Sequence, residues 1–248
     1  MSTNIPSLKQ LMEAGVHFGH VAKYWNPKTA DYIYTKRDRI HVLDLEKTHK
    51  ALTEILPKIT EYVAQGKVIL LVGTKKQIRS IITEVGPATG MPYIDLRWLG
   101  GTLTNFKVMQ LSIKRMKEIA EFLNSEKSSR IIKKERLNLQ RQLERMHEKF
   151  GGLLNLNKLP DAVFIIDPHY ERNAIHEAKN LGLEIFAILD TNSDPSEVDY
   201  VIPANDDAKK SVELIMNSVK EAILAGQKQI KTDTKLQIDT NKDQKSAE

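Results

Sequence analysis

The sequence predicts a doubly wound α/β fold: a mostly parallel sheet covered by helices on both faces, with an antiparallel helical hairpin inserted into it. Three observations carry this. Lys67–Val72, Asp161–Ile166 and Glu184–Leu189 contain continuous apolar runs rich in β-branched residues, as in strands buried on both faces. Helical patterns alternate with these runs through short links, which is the signature of βαβ units. Residues 106–150 break the rhythm with apolar residues three and four apart.

In chain order, Ser7 and Gln10 form a capping box that opens a short helix with Leu8, Leu11 and Met12 on one face, ended by Gly15. Val16 to Lys28 is non-periodic and reads as a loop rich in aromatics and cations. Tyr32–Tyr34 and Ile40–Leu43 read as two short strands around the charged turn Lys36–Arg39. Asp44 caps an amphipathic helix to about Gln65, with Leu45, Leu52, Ile55, Leu56, Ile59 and Val63 inward. Pro57, inside that pattern, predicts a kink or local break.

After the strand Lys67–Val72, Thr74 and Gln77 form a second capping box that opens a helix. Pro92–Leu96 is a weaker strand. Asp167-Pro168 starts a helix through Glu177 to Leu181, and Tyr200–Ile202 is a short last strand. Asn205-Asp206-Asp207 caps a final helix to about Ala225. In the inserted block, Met109, Ile113, Met116, Ala120 and Leu123 form one stripe, and Leu139, Leu143, Met146 and Phe150 another. The polar turn Asn124–Ser129 joins them, predicting a projecting coiled-coil hairpin. The expected division is a body of residues 1–105 and 151–226, a hairpin of 106–150 and an unstructured polar tail of 227–248.

With no cysteine in 248 residues, disulfides and thiolate metal sites are excluded. Met1 to Gly15 has neither a basic head with a long apolar run nor an Arg-rich presequence, so the chain is expected to stay in the cytoplasm where it is made. The net charge of +5 is segregated: residues 105–150 carry 12 Lys and Arg against 6 Asp and Glu, whereas residues 151–226 carry 6 against 13. Such polarity points to one face that meets a polyanion.

An enzyme reading finds thin support. Gly73-Thr74-Lys75-Lys76-Gln77 lacks the second glycine of a phosphate loop of the Walker type, and no nucleophile elbow is present. Lys75 and Lys76 at a helix start can still hold a phosphate, of a sugar or of a nucleic acid, which leaves a sugar-phosphate-binding, isomerase-like enzyme as the alternative. His17 and His20 with Asp190, Asp194, Asp199, Asp206 and Asp207 leave a metal site open where their loops meet. No spacing enforces it, and the expectation is that no metal or cofactor is held.

Nucleic-acid binding fares better. His17, Phe18, His20, Lys23, Trp25, Asn26 and Lys28 mix stacking groups, cations and amides, as RNA contacts do. Arg97-Trp98-Leu99-Gly100-Gly101, continued by Thr104 and Asn105, repeats the mixture. Lys107, Lys114, Arg115, Lys133 and Lys134 supply cations for phosphates along the hairpin. No standard RNA-binding module signature is present, which points to docking on a structured RNA.

These segments also carry a resemblance. Leu11-Met12-Glu13-Ala14-Gly15-Val16-His17-Phe18-Gly19-His20, Trp25-Asn26-Pro27-Lys28, Val72-Gly73-Thr74-Lys75-Lys76-Gln77 and Arg97–Asn105 resemble blocks of the bacterial small-subunit ribosomal protein S2 family. So do Leu159–Asp167, Asp190–Pro195 and Val201–Ala208, and together they cover roughly residues 5–226 in order. The resemblance implies a three-layer α/β/α, flavodoxin-like core with an inserted coiled-coil hairpin and no enzymatic activity. It further implies contact with small-subunit rRNA between head and body, neighbouring ribosomal proteins, and docking of the large mRNA-binding protein S1.

Overall fold

The computed structural model describes residues 5–245. Five strands form one parallel sheet: β4 (Ile69–Val72), β5 (Tyr93–Ile94), β6 (Ala162–Ile166), β7 (Glu184–Leu189) and β8 (Tyr200–Pro203), in the spatial order β5-β4-β6-β7-β8. Numbered among themselves, these strands run 2-1-3-4-5, the flavodoxin-like doubly wound order. The order reverses between β4 and β6, which places a crevice beyond their carboxyl ends.

Both faces of the sheet are buried, as the unbroken apolar runs require. Alternate residues divide cleanly: Ile69, Leu71, Phe164, Ile166, Phe186 and Ile188 face one core, and Leu70, Val72, Val163, Ile165, Ile185 and Ala187 face the other. Each of these side chains other than Ala187 stabilises the fold by roughly 1.5–3 kcal/mol when fully buried. The first core is completed by α1 (Leu8–Glu13), α2 (Leu45–Ala64), α3 (Arg79–Thr89) and α7 (Lys209–Lys245). The second is completed by α4 (Phe106–Asn124), α6 (Arg172–Asn180) and the loop bearing Trp98 and Leu103.

Several sequence expectations change. The segment expected to be a loop from Val16 contains a strand, β1 (Phe18–Val21), antiparallel to β3 (Ile40–Leu43), which also pairs with β2 (Ile33–Arg37). Four residues with no clean alternation gave no period to read. Between β2 and β3, Asp38 and Arg39 both take positive φ, 48° and 66°, the conformation a two-residue hairpin turn demands. Helix α2 continues through Pro57 instead of breaking, since its apolar stripe on both sides of the proline is buried. The Thr74–Gln77 box does not form: α3 starts at Arg79, and Thr74 turns its N–H and hydroxyl to Glu171 instead. Helix α6 begins at Arg172 rather than at Asp167, whose φ of 63° is incompatible with a helical turn.

In the inserted block, α4 and α5 (Lys133–Phe150) pack on one another, with Leu139, Leu143, Met146 and Phe150 half-buried. The first turns of α4 do more than that: Met109 and Ile113 join the second core of the sheet. The base of this insertion is therefore anchored in the core of the sheet, and cutting it away would open that core. Helix α7 passes beyond Ala225 and through the stretch expected to be unstructured, as far as Lys245. From Gln227 to Lys245 the sequence has no Gly or Pro to stop it; residues 246–248 lie outside the described residues.

Candidate nucleic-acid interface

The segments singled out by composition gather at the carboxyl edge of the parallel sheet. Lys75 follows β4, Arg97 follows β5, Asp167 follows β6, Asp190 follows β7 and Asp206 follows β8. The N-terminal segment is tied to the same edge. Asn26 donates its backbone N–H to the Thr191 carbonyl at 2.7 Å, and Asn205 donates to the Val16 carbonyl at 3.0 Å. Gly19 makes this approach possible. A Cβ there would stand 3.0 Å from both the His41 carbonyl oxygen and Thr191 Cγ2.

The loop Arg97–Asn105 is shaped by one residue that composition did not reveal, Glu177 on α6. Its Oε1 accepts from the Trp98 indole Nε1 at 3.0 Å and from the Gly101 backbone at 2.7 Å. Its Oε2 accepts from the Leu103 and Thr104 backbones at 2.9 and 3.0 Å and from the Thr104 hydroxyl at 3.1 Å. Burial alone would raise this carboxyl's pKa. The surrounding donors outweigh it and hold the group below its ordinary value. Trp98 is buried as the core plug of the loop, while Arg97, Gly100, Thr104 and Asn105 are exposed.

Gly101 has a φ of 85°, a backbone conformation that its lack of a side chain permits. Gly101→Ala is expected to cost about 1–2 kcal/mol, measured by denaturant unfolding. Gly100→Ala should cost far less, because a Cβ there meets no atom within 4 Å. Asn105 stands at the N-cap of α4 but makes no side-chain capping bond, which leaves its amide facing outward.

The cations separate into two groups. Lys23, Lys76, Arg97, Lys107, Lys114, Arg115, Lys133 and Lys134 are exposed. Lys28 is exposed too, but its Nζ lies 2.7 Å from Asp194 and 2.8 Å from the Ser196 hydroxyl. Slight burial opposes ionisation of Asp194, yet these two partners bring its pKa down to about 2.

Lys75 points inward, 10% exposed, and ion-pairs with Asp167, with Asp206 at 3.0 Å and with Asp207 at 2.6 Å. Beside it, the Thr74 N–H and hydroxyl donate to Glu171 Oε1 at 2.9 and 2.6 Å. Lys75 is thus taken up by the protein's own carboxylates and is not free to hold a phosphate in the switch-point crevice.

Among the aromatic groups, Phe18 and Trp25 are exposed, and the Trp25 ring meets His41 edge-on at 5.0 Å. His17 packs on Phe18 with ring centroids 4.1 Å apart, and burial lowers its pKa, so at neutral pH it is an uncharged stacking group. His20 instead turns to the carboxylates. Its Nδ1 lies 2.7 Å from Asp190 Oδ2, and its Nε2 lies 3.2 Å from Asp207 Oδ2. The Asp190 bond outweighs desolvation and raises its pKa to about 9.

The family model described as ribosomal protein S2 matches residues 11–226. The small ribosomal subunit protein uS2 of Coxiella burnetii, strain Dugway 5J108-111, is 45% identical over 219 residues, 88% of this chain and 70% of that protein. The uS2 proteins of strains RSA 331 / Henzerling II and RSA 493 / Nine Mile phase I match to the same extent.

Proposed function

The chain belongs to the ribosomal protein S2 family, and from that premise we propose that it docks on small-subunit rRNA, between head and body, through its exposed basic surface. It is a structural, non-enzymatic component of the bacterial small ribosomal subunit and as such is cytoplasmic. Among the described residues no helix is long and apolar enough to cross a membrane.

The observation that carries the RNA reading is the division of labour at the sheet's carboxyl edge. Glu177 and Trp98 fix the loop from inside, and Arg97 and Asn105 are left exposed at the start of α4, where Lys107 continues the positive surface. We read residues 106–150 as an antiparallel coiled-coil arm on a body of 1–105 and 151–226, with Lys114, Arg115, Lys133 and Lys134 as phosphate contacts. Phe18, Lys23, Trp25 and Asn26, with His17 as a neutral ring, form a second contact. Neighbouring small-subunit proteins, including S1, complete the proposed set of partners.

The sugar-phosphate alternative loses its physical basis in the crevice. A phosphate entering there would meet Asp167, Glu171 and Asp206, all buried, and a lysine already shared among three carboxylates.

The test is RNA affinity as a function of salt. If Arg97, Lys107, Lys114, Arg115, Lys133 and Lys134 each neutralise a phosphate, log affinity falls against log salt with a slope of about −5. Reversing Lys114, Arg115, Lys133 and Lys134 to Glu should flatten the slope to about −2 or less and reduce incorporation into subunits, with unchanged circular dichroism. Arg97→Ala with Asn105→Ala should lower incorporation without moving the thermal midpoint. Salt-insensitive binding, or competition by a hexose phosphate, would reject the proposal.

A further inference from the structure

The loops after β4, β5 and β6 enclose a cleft of about 390 Å³ where the strand order reverses. That volume lies within the range of roughly 300–1,000 Å³ found for small-ligand sites. Leu96, Arg97, Tyr170 and Asn173 are its exposed lining residues, and Trp98 and Glu171 are its buried ones.

One atom gives the cleft its chemistry. Glu171 is only 3% exposed, and its Oε1 accepts both the Thr74 N–H and the Thr74 hydroxyl. These two donors occupy both lone pairs of that oxygen. Among the described residues nothing donates to Oε2, which borders the cleft with two lone pairs open. Burial pushes the Glu171 pKa up, and the Thr74 donors oppose this only in part. The carboxylate therefore gains from a further donor on Oε2.

The rest of the lining narrows what that donor belongs to. A carboxylate oxygen repels a phosphate and accepts from N–H groups. Tyr170, 60% exposed, offers a stacking face on a turn held by its own N–H, which donates to Asp167 Oδ1 at 3.0 Å. Arg97 adds a positive charge to the same cleft. A flat group with donors on one edge and a negative charge some distance away is a nucleotide. We propose that the cleft receives an unstacked guanine base of the docked RNA, its N1–H and N2–H2 edge on Glu171 Oε2. Its face lies on Tyr170, its O6 meets the Asn173 amide and its phosphate meets Arg97. The inference deepens the rRNA reading above and rests on it. Guanine fits best because it alone among the four bases sets two donors side by side. Adenine and cytosine place a ring acceptor beside their amino group, and uracil has one N–H between two carbonyls.

The experiment uses the full chain and the single-stranded pentaribonucleotides UUGUU, UUAUU, UUCUU and UUUUU, titrated at low salt by fluorescence anisotropy. UUGUU is expected to bind at least about tenfold more tightly than the others. A central inosine, which lacks N2–H2, should fall between. Tyr170→Ala should weaken UUGUU about tenfold. Glu171→Gln turns an amide donor toward the cleft, because the Thr74 donors claim its oxygen, and should abolish the preference for guanine. Circular dichroism establishes that each variant is folded. Should Glu171→Gln not fold, the exposed Tyr170→Ala and Asn173→Ala still test the cleft. Salt-dependent binding of structured small-subunit RNA is measured on the same proteins. A parent chain that binds this RNA with a steep slope but shows no base preference overturns the guanine site and leaves the docking reading standing. Guanine preference without salt-dependent docking supports the site and counts against that docking surface. A preference that survives in folded Glu171→Gln and Tyr170→Ala places the base elsewhere and rejects the proposal. So does Glu171-dependent binding of argininamide with no binding of any pentamer, since the cleft would then receive a cationic protein side chain.

Discussion

Glu177→Ala is expected to destabilise the folded chain by about 3–5 kcal/mol and to abolish the ordered conformation of the Arg97–Asn105 loop. The carboxylate satisfies the Trp98 indole, three backbone N–H groups and the Thr104 hydroxyl at once. Removing it strands buried donors, each costing roughly 1–3 kcal/mol if water cannot replace the partner. The total stays below their sum because a loosened loop admits water. Glu177→Gln keeps the shape but puts an NH2 donor against groups that are themselves donors, so about 2–3 kcal/mol is expected.

The sign with pH follows from the direction of the shift. Glu177 is held below its ordinary value of 4.5, so its contribution is complete above that value and is lost as pH falls through the lower folded one. Unfolding by urea from pH 7 down to 3 should therefore show a shallower acid loss of stability in Glu177→Gln than in the parent. Subunit incorporation should fall in both variants, although neither removes a positive charge. A Glu177→Ala chain with parental stability would mean that the loop does not depend on this residue.

That dependence could not be seen in the sequence, and the reason is physical. On an amphipathic helix, an acid flanked by His176 and Ala178 reads as part of the solvated face. Only the arrival of a loop from 73–79 residues upstream turns it into an anion receptor. The Thr74 spacing shows the same limit: it fits a capping box with Gln77, yet the helix starts only at Arg79 and Thr74 is drawn to Glu171 across the crevice. The strands β4, β6 and β7 were legible because burial on both faces writes an unbroken apolar run, a purely local signal. Strand β1 left no such trace: Phe18 is exposed and Gly19 has no side chain. Of the candidate interface, the exposed cations could be named from composition. Which lysine faces inward could not, since Lys75 and Lys76 are adjacent and chemically identical.

Those two lysines give the second large effect. Lys75→Met should destabilise the chain by about 3–5 kcal/mol, the range for removing one partner from a buried ion pair. Burial by itself would lower the Lys75 pKa. The Asp206 and Asp167 charges outweigh it and keep the ammonium protonated above its ordinary range. Methionine fills similar space but leaves Asp167 and Asp206 facing each other without their shared cation. Lys76→Met, one residue along and exposed, should change stability by less than about 0.5 kcal/mol. The RNA readout separates the pair in the opposite sense. If Lys76 contacts a phosphate, its loss reduces the salt slope by about 1, while folded Lys75→Met keeps the parental slope. Chemical denaturation and salt-dependent RNA titration on the same two variants measure both effects. A Lys75→Met chain that keeps its stability and loses slope would place that lysine on the RNA, and the inward network would then not describe the working state of the protein.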